Sequence, residues 1–592
     1  MIEPLVEHGF RVITVNFIQK GDRILSFDYY YSLLEEFYKD VFSKKMVTPR
    51  DKLIFMGVGV GANVVSHMEN KNFDISKFIL ISPVNSYKSD YSISSVISRF
   101  KTPTYIMYGQ VDKENSVDSR YSIFQKGKNN PNVHFSCYPC TGFYCYYERM
   151  TSIELEKLYR KTNIDVLIGS DRNNQPLFLP NEPLLNELFF THLFNILENK
   201  IKPKKILLIT ETFPVYCLGK GTTIEFLAKE LIKLGYETYI TGLWRNRDDF
   251  STLPVNYIPV IGYARSKNKN DKRAIVLKEF SYVRSAKMLA MFGFDYLHLY
   301  SDYRMSEVGL ELAKITGIKM PYTYHTLWRL YYSKKINEII KDSSQKFIRK
   351  FMRSRVFKES PLIISQSNES YQIFKNKSRI DKKFKLIVTP MNKDNLVFTK
   401  TDAVNVEILR KENDLVGKKI IGYVNKVSPE YNTFELIKYF ATLAETDKQI
   451  MLVLVGTGNA TKQLQGWTEK LGISERVIFV KEVTNNERKL YFHLFDVFVT
   501  GSDFELQGSP YFEAAASGTP IVAKSNRVTE EFFVDGESAY IYHDYYTFAE
   551  KVELALYNQN KRIVNNAKAL AKQYDQEKWA KQLAKIYKDL NS

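Results

Sequence analysis

The chain has 592 residues, 44% hydrophobic and 25% charged, with four cysteines and a formal net charge of +18. That length is too great for one core, so about two to four domains are expected, and the composition excludes a disordered, fibrous or disulfide-framed chain. The positive charge favours an anionic partner, and no run reaches the roughly 18–20 apolar residues of a membrane span.

The opening "MIEPLVEHGFRVITVNF" has no charged segment leading into an apolar one, so no signal peptide is expected, and the few cysteines suit a reducing cytoplasm. The runs "RVITVNF", "KLIFMGV", "KFILISP" and "PTYIMYG" alternate with helical patterns, which predicts βαβ units on a parallel sheet. "FMGVGVGANVV" follows one of these strands and precedes a helix. It resembles the nucleophile elbow of α/β-hydrolases, with Gly59 of Gly57-Val58-Gly59-Val60-Gly61 at the nucleophile's place. By the same resemblance Asp112 stands for the acid and Gly142 replaces the histidine. A triad without nucleophile or base performs no acyl transfer. A dinucleotide turn built from the same glycines fits less well. His134, Cys137, Cys140 and Cys145 could offer zinc ligands, but their spacing is not that of a common finger and reduced cysteines are the plainer reading.

"ENKIKPKK" (Glu198–Lys205) reads as a linker. Beyond it "KKILLIT", "ETYITGL" and "DYLHLY" begin a second alternation; "KIIGYVNK", "IMLVLVG", "RVIFVKE" and "VFVTGS" begin a third. Three doubly wound sheets in succession are therefore expected. In the second, Gly219 and Gly221 lie in a loop before an amphipathic helix, where bare backbone N–H groups suit a phosphate or a sugar. "PYTYHTLWRLYY" places His325 on a loop at the C-terminal edge of a parallel strand, where open α/β sheets bind ligands. From Arg329 to Lys358 basic and apolar residues interleave at helical spacing. That suits an anionic membrane surface, and equally a helix with its apolar face in the core. No nucleic-acid reader motif occurs. In the third alternation, "DFELQGSPYFEAAASGTPIVAK" sets Glu505 and Glu513 with seven residues between them, the second on an alanine-packed helix.

Taken in order, the glycine loop, "MPYTYHT", "LIISQSNESYQIF", "IVTPMNKDN", "GYVNKVSPEYN", "LVGTGN", the E-x7-E pair and "WAKQLAKIYKDL" resemble the retaining glycosyltransferases of family 4, over about residues 204–592. "YTYHT" and "FELQGSPYFEAAASGTPIVAK" are most similar to the branch that glucosylates diacylglycerol and related lipids. The resemblance implies an α/β chain: a degenerate α/β-hydrolase-like domain over 1–198, then a GT-B pair with an acceptor domain over 204–400 and a donor domain over 415–575. A helix over 576–592 would pack back on the acceptor domain. It further implies Glu505 and His325 at the transferred sugar, Glu513 on the ribose hydroxyls and Lys426 on the diphosphate. Gly219, Gly221, Gly508 and Asn432 would complete the donor site. The donor implied is UDP-glucose, with no metal or other cofactor. The acceptor would be a lipid or another membrane-associated molecule, reached from the cytoplasmic face. The chain departs from the family at Tyr431, where a second phosphate-binding lysine is usual, and "TPMNKDN" lacks the usual glycine. A second reading stays open: a non-catalytic scaffold of two decayed enzyme folds, the first domain taking a protein partner. Gly59, Gly142 and Tyr431 favour that reading; Glu505, Glu513, Lys426 and His325 favour the enzyme.

Overall fold

A computed structural model describes residues 2–14, 27–48, 51–70, 74–84, 92–110, 116–139, 186–212, 220–243, 256–260, 279–301, 304–324, 354–366, 368, 371–372, 384–387, 398–456, 458, 460–481, 483, 485–503, 508–574 and 576–592. The chain forms two compact units. One comprises Met1–Lys205, Leu243–Asp295 and Glu311–Gly317; the other Ile206–Gly242, Tyr296–Leu310 and Ile318–Ser592.

The first unit is built on β1 (Leu53–Val58), β2 (Ile75–Ile81), β3 (Thr104–Gly109) and β4 (Val133–Tyr138), hydrogen-bonded in that order and all parallel. Continuous apolar runs such as Phe78–Ile81 are what a strand covered on both faces requires. The helix Glu187–Leu197, capped by the Asn186 side chain, lays Phe189, Phe190 and Leu193 against Ile79, Ile81, Met107 and Tyr138. Between β1 and the helix Val60–Ser66 the chain turns at Gly59, with φ 57° and ψ −123°. A Cβ is strained in that part of backbone space. His134 and Cys137 both lie on β4, three residues apart, so they face opposite sides of the sheet; His134 is exposed and Cys137 buried. Cys140, Cys145, Asp112 and Gly142 lie outside the described residues, among which no cluster of three metal-ligand residues occurs.

The next strands along the chain are β5 (Lys205–Thr212), β6 (Glu237–Leu243), β7 (Asn256–Val260), β8 (Tyr296–Leu299), β9 (Tyr322–Thr323), β10 (Ile363–Ser365) and β11 (Phe384–Leu386). Within the second unit they run β11-β10-β9-β8-β5-β6. The pairs β5–β8, β8–β9, β9–β10 and β10–β11 are parallel. The helix Gln576–Asn591 returns to this sheet and packs on the helix Lys220–Lys233 and on β8, burying Trp579, Leu583, Ile586 and Tyr587. The Tyr587 hydroxyl lies 2.6 Å from Nδ1 of His298, a fully buried residue of β8 whose Nε2 is 2.7 Å from Thr323 Oγ1.

The last sheet consists of β12 (Lys419–Val424), β13 (Ile450–Val455), β14 (Val477–Val480), β15 (Val497–Thr500), β16 (Ile521–Lys524) and β17 (Tyr540–Tyr542), all parallel, in the order β14-β13-β12-β15-β16-β17. Chain order therefore reverses between β12 and β15. In a doubly wound sheet that reversal opens a crevice outside the carboxyl ends of the two strands, and ligands bind there. Among the described residues no helix is long and apolar enough to cross a membrane.

Candidate active site

The loops leaving β12 and β15 meet at this reversal. After β12 the backbone of Lys426 is fixed on both sides: its N–H donates to Asn425 Oδ1 at 2.8 Å and its carbonyl accepts from the Tyr423 hydroxyl at 2.9 Å. Its side chain is exposed. A single tight turn, Pro429–Tyr431, brings the chain to Asn432, which adopts a left-handed conformation (φ 51°, ψ 34°) and starts the helix Thr433–Thr446. Asparagine tolerates that conformation better than most residues. Its side-chain amide reaches the other loop and donates to Gly501 O at 2.9 Å and to Asp503 Oδ2 at 2.5 Å.

Asp503 is held from a second side. Lys524, the last residue of β16, places Nζ 3.0 Å from Asp503 Oδ1 and 2.7 Å from Glu435 Oε2. Tyr439 donates to the other oxygen of Glu435 at 2.7 Å. Burial alone would lower the Lys524 ammonium; the hydrogen bonds and charges of Glu435 and Asp503 outweigh it and raise the group above its ordinary value. Asn526 adds a hydrogen bond to Ser502 O at 2.9 Å. The backbone two residues ahead of Glu505 is thus tied to three neighbouring segments. From the far side, the loop after β13 presses on the Lys426 loop: a Cβ at Gly458 would lie 1.7 Å from Val427 O, so only glycine fits.

The helix Ser509–Ser517 starts at Gly508 (φ 69°, ψ 44°), with Pro510 in its first turn, where no N–H is missed. Ala514, Ala515 and Ala516 share a core with Ala567 and Ala571 of the helix Lys561–Gln573, and their small size lets the two helices close. Glu513 lies on the same buried helix, 3% exposed. Its Oε1 accepts from Nη2 of Arg488 at 2.6 Å, and both side chains are at most 5% exposed. Glu513 Oε2 and Arg488 Nε have no hydrogen-bond partner among the described residues. Burial raises the Glu513 carboxyl above its usual range and Arg488 only partly counters it.

Of the residues named from the sequence, Lys426, Asn432, Gly508 and Glu513 belong to the segments that follow β12 and β15. Glu505, His325 and Gly219 lie outside the described residues. Gly221 stands inside the first turn of the helix Lys220–Lys233 rather than in the loop before it; an N–H there has no intrahelical acceptor to lose, so glycine is tolerated. Tyr431 is half-buried and packs against the core cluster that includes Ile421 and Tyr423 of β12. Sequence reasoning missed Arg488, Lys524, Glu435 and Asp503. The available signal was a charge interrupting an apolar pattern, in "ERKLYFHLF" and at the end of "PIVAK".

Two family models match the chain in succession, Glycosyltransferase Family 4 over residues 219–394 and Glycosyl transferases group 1 over residues 405–570. Alpha-monoglucosyldiacylglycerol synthase of Acholeplasma laidlawii is 23% identical over 394 residues, 65% of this chain and 97% of that protein. The protein of the same name from Streptococcus pneumoniae is 24% identical over 356 residues, 60% of this chain and 78% of that one. HepE of Anabaena, solved with UDP and glucose, covers 65% of this chain and 100% of its own at 16% identity, with a TM-score of 0.52. Sucrose-phosphate synthase of Thermosynechococcus elongatus gives 0.53 at 18% identity, over 65% of this chain and 99% of its own. With two successive family models, a reversing parallel sheet and the loops that converge on its reversal, the chain belongs to the family 4 and group 1 glycosyltransferases of GT-B fold.

Proposed function

We propose that the protein is a retaining hexosyltransferase that moves glucose from UDP-glucose to the hydroxyl of a diacylglycerol-type lipid. The observation that carries this reading is the junction of the Lys426 loop with Gly501 and Asp503, just after β15, through Asn432 at the reversal of the sheet. In the reaction the bond from the sugar's anomeric carbon to the diphosphate oxygen breaks, the acceptor oxygen bonds to that carbon, and UDP leaves with the acceptor hydroxyl's proton. Charge builds on the leaving diphosphate, and preorganised cations and N–H groups aimed there lower the barrier. Lys426 supplies the cation, and the N-terminal turns of the helices Thr433–Thr446 and Ser509–Ser517 supply backbone N–H groups. Glu513 accepts from the ribose, Glu505 and His325 act at the sugar, and the backbone at Gly219 and Gly221 admits the sugar or phosphates. The names of the two lipid synthases support the acceptor class, and HepE supports the donor.

The basic stretch Lys334–Lys358 would hold the enzyme at an anionic, cytoplasm-facing membrane surface; most of it lies outside the described residues. The first domain is read as hydrolase-like without hydrolysis. The strand–Gly59–helix turn and the β1-β2-β3-β4 order support that reading, and its surface is left for a protein partner.

Titration of the whole protein with UDP, UDP-glucose and their GDP counterparts tests the donor assignment. UDP-glucose should bind. Glu505→Gln should then lower turnover with little loss of nucleotide affinity, and Glu513→Ala should mainly weaken donor binding. The same preparation should release no p-nitrophenol from p-nitrophenyl acetate above background. A parent protein that binds none of the nucleotides overturns the transferase reading and favours the scaffold.

A further inference from the structure

Resting on the donor-site reading above, we propose that Arg488 is a positioning residue for the donor: it holds one oxygen of the Glu513 carboxylate and leaves the second open to the nucleotide's ribose. A buried ion pair is weak evidence for stability, because apolar residues of similar volume often serve as well. A pair built only for structure would favour the bidentate fork, in which two N–H groups meet both carboxylate oxygens. Here the guanidinium meets only Oε1, through Nη2 at 2.6 Å. Oε2 is buried with no partner among the described residues, and so is Nε of Arg488. An oxygen in that state needs a donor, and the two neighbouring hydroxyls of a ribose are such donors. The position agrees, since Glu513 sits in the helix that begins at Gly508, where the loop from β15 ends.

Arg488 also governs the charge. Burial pushes the Glu513 carboxyl upward, and Arg488 is the charged group that opposes the shift. On the elements packed nearby, Lys489 is taken up by Asp402 at 2.7 Å, and Lys568 of the helix Lys561–Gln573 approaches the helix at its Gly518 end. Neither replaces Arg488 beside the carboxyl. Without the arginine, burial acts on the acid unopposed and favours its neutral form, and a neutral carboxyl accepts more weakly from a hydroxyl.

The test uses the full chain and four proteins: the parent, Arg488→Met, Arg488→Lys, and the double variant Arg488→Met with Glu513→Gln. UDP affinity and the UDP-glucose KM and kcat are measured across pH, at roughly pH 5 to 9, because a carboxyl raised by burial titrates above its ordinary value of about 4.3. Arg488→Met should weaken UDP binding and raise the donor KM roughly 10-fold, with kcat within about twofold of the parent. Its affinity should climb with pH where that of the parent is flat. Arg488→Lys should recover part of the affinity and the flat profile. The double variant, which leaves no buried charge, should fold and bind UDP weakly at every pH. A purely structural arginine would change melting temperature without this pH profile. If Arg488→Met does not fold, the lysine and double variants decide. Variants that bind UDP as the parent does, with the same profile, overturn the role of Arg488 alone. A parent that binds neither UDP nor UDP-glucose overturns the donor-site reading and this assignment together.

Discussion

Acid should loosen the second unit through one histidine. His298 is fully buried on β8 between the Tyr587 hydroxyl and Thr323 Oγ1, and burial holds its pKa down to about 3. In the unfolded chain the imidazole returns to about 6.5. The unfolded state therefore binds the extra proton first. Stability is fully present above about pH 6.5 and falls as pH drops from there toward the folded value. Between pH 7 and pH 5 protonation of this one imidazole shifts the unfolding equilibrium by about 1.4 log units, which at about 1.36 kcal/mol per unit is a loss of about 2 kcal/mol. For a unit of more than 300 residues, at about 2.1 cal/mol/K per residue, that is roughly 3 °C in Tm. His298→Gln keeps hydrogen-bonding capacity and removes the titration, so its Tm should fall less between those pH values, by that difference. Thermal unfolding of parent and variant at pH 7, 6 and 5 reads it directly. His134, whose pKa is also lowered by burial, titrates in both proteins and cancels. Parallel pH profiles for the two proteins would refute the reasoning.

Lys524→Met removes the cation shared by Asp503 and Glu435 and frees the backbone ahead of Glu505. It should lower kcat roughly 10- to 100-fold, the usual effect of misplacing a reacting group by about 1 Å, with a smaller change in UDP affinity; an unchanged kcat in steady-state assays would remove Lys524 from the active-site framework. Sedimentation with liposomes should require anionic lipid and weaken as salt rises; equal binding to neutral vesicles would assign the charges of Lys334–Lys358 to another task.

The sheets were legible because strands buried on both faces are written as unbroken apolar runs, as in Ile450–Val455. The alternation of such runs with helical patterns marked the doubly wound architecture, and spacing alone joined Glu505 to Glu513. What spacing does not carry is the identity of a partner across the fold. Lys524 meets Glu435 across 89 positions, and Arg488 meets Glu513 across 25, from a different helix. Lys524 reads as the end of a strand and Arg488 as one more basic residue on an amphipathic helix. Tyr431 was legible as a departure from a family pattern; its contact with the core follows only from the turn Pro429–Tyr431.

The return of the helix Gln576–Asn591 to β8 also has a consequence for synthesis. Tyr587 emerges 289 residues after the histidine it meets. Chains fold in the direction in which they are made, so the six strands of the last sheet can be laid down while His298 still lacks one of its partners. Until the closing helix docks, β8 lacks Tyr587 and the helix Lys220–Lys233 lacks the neighbour that packs on it, so a nascent chain stalled before that point exposes an unfinished apolar face. Stalled products that lack this helix should therefore be bound by chaperones through the second sheet.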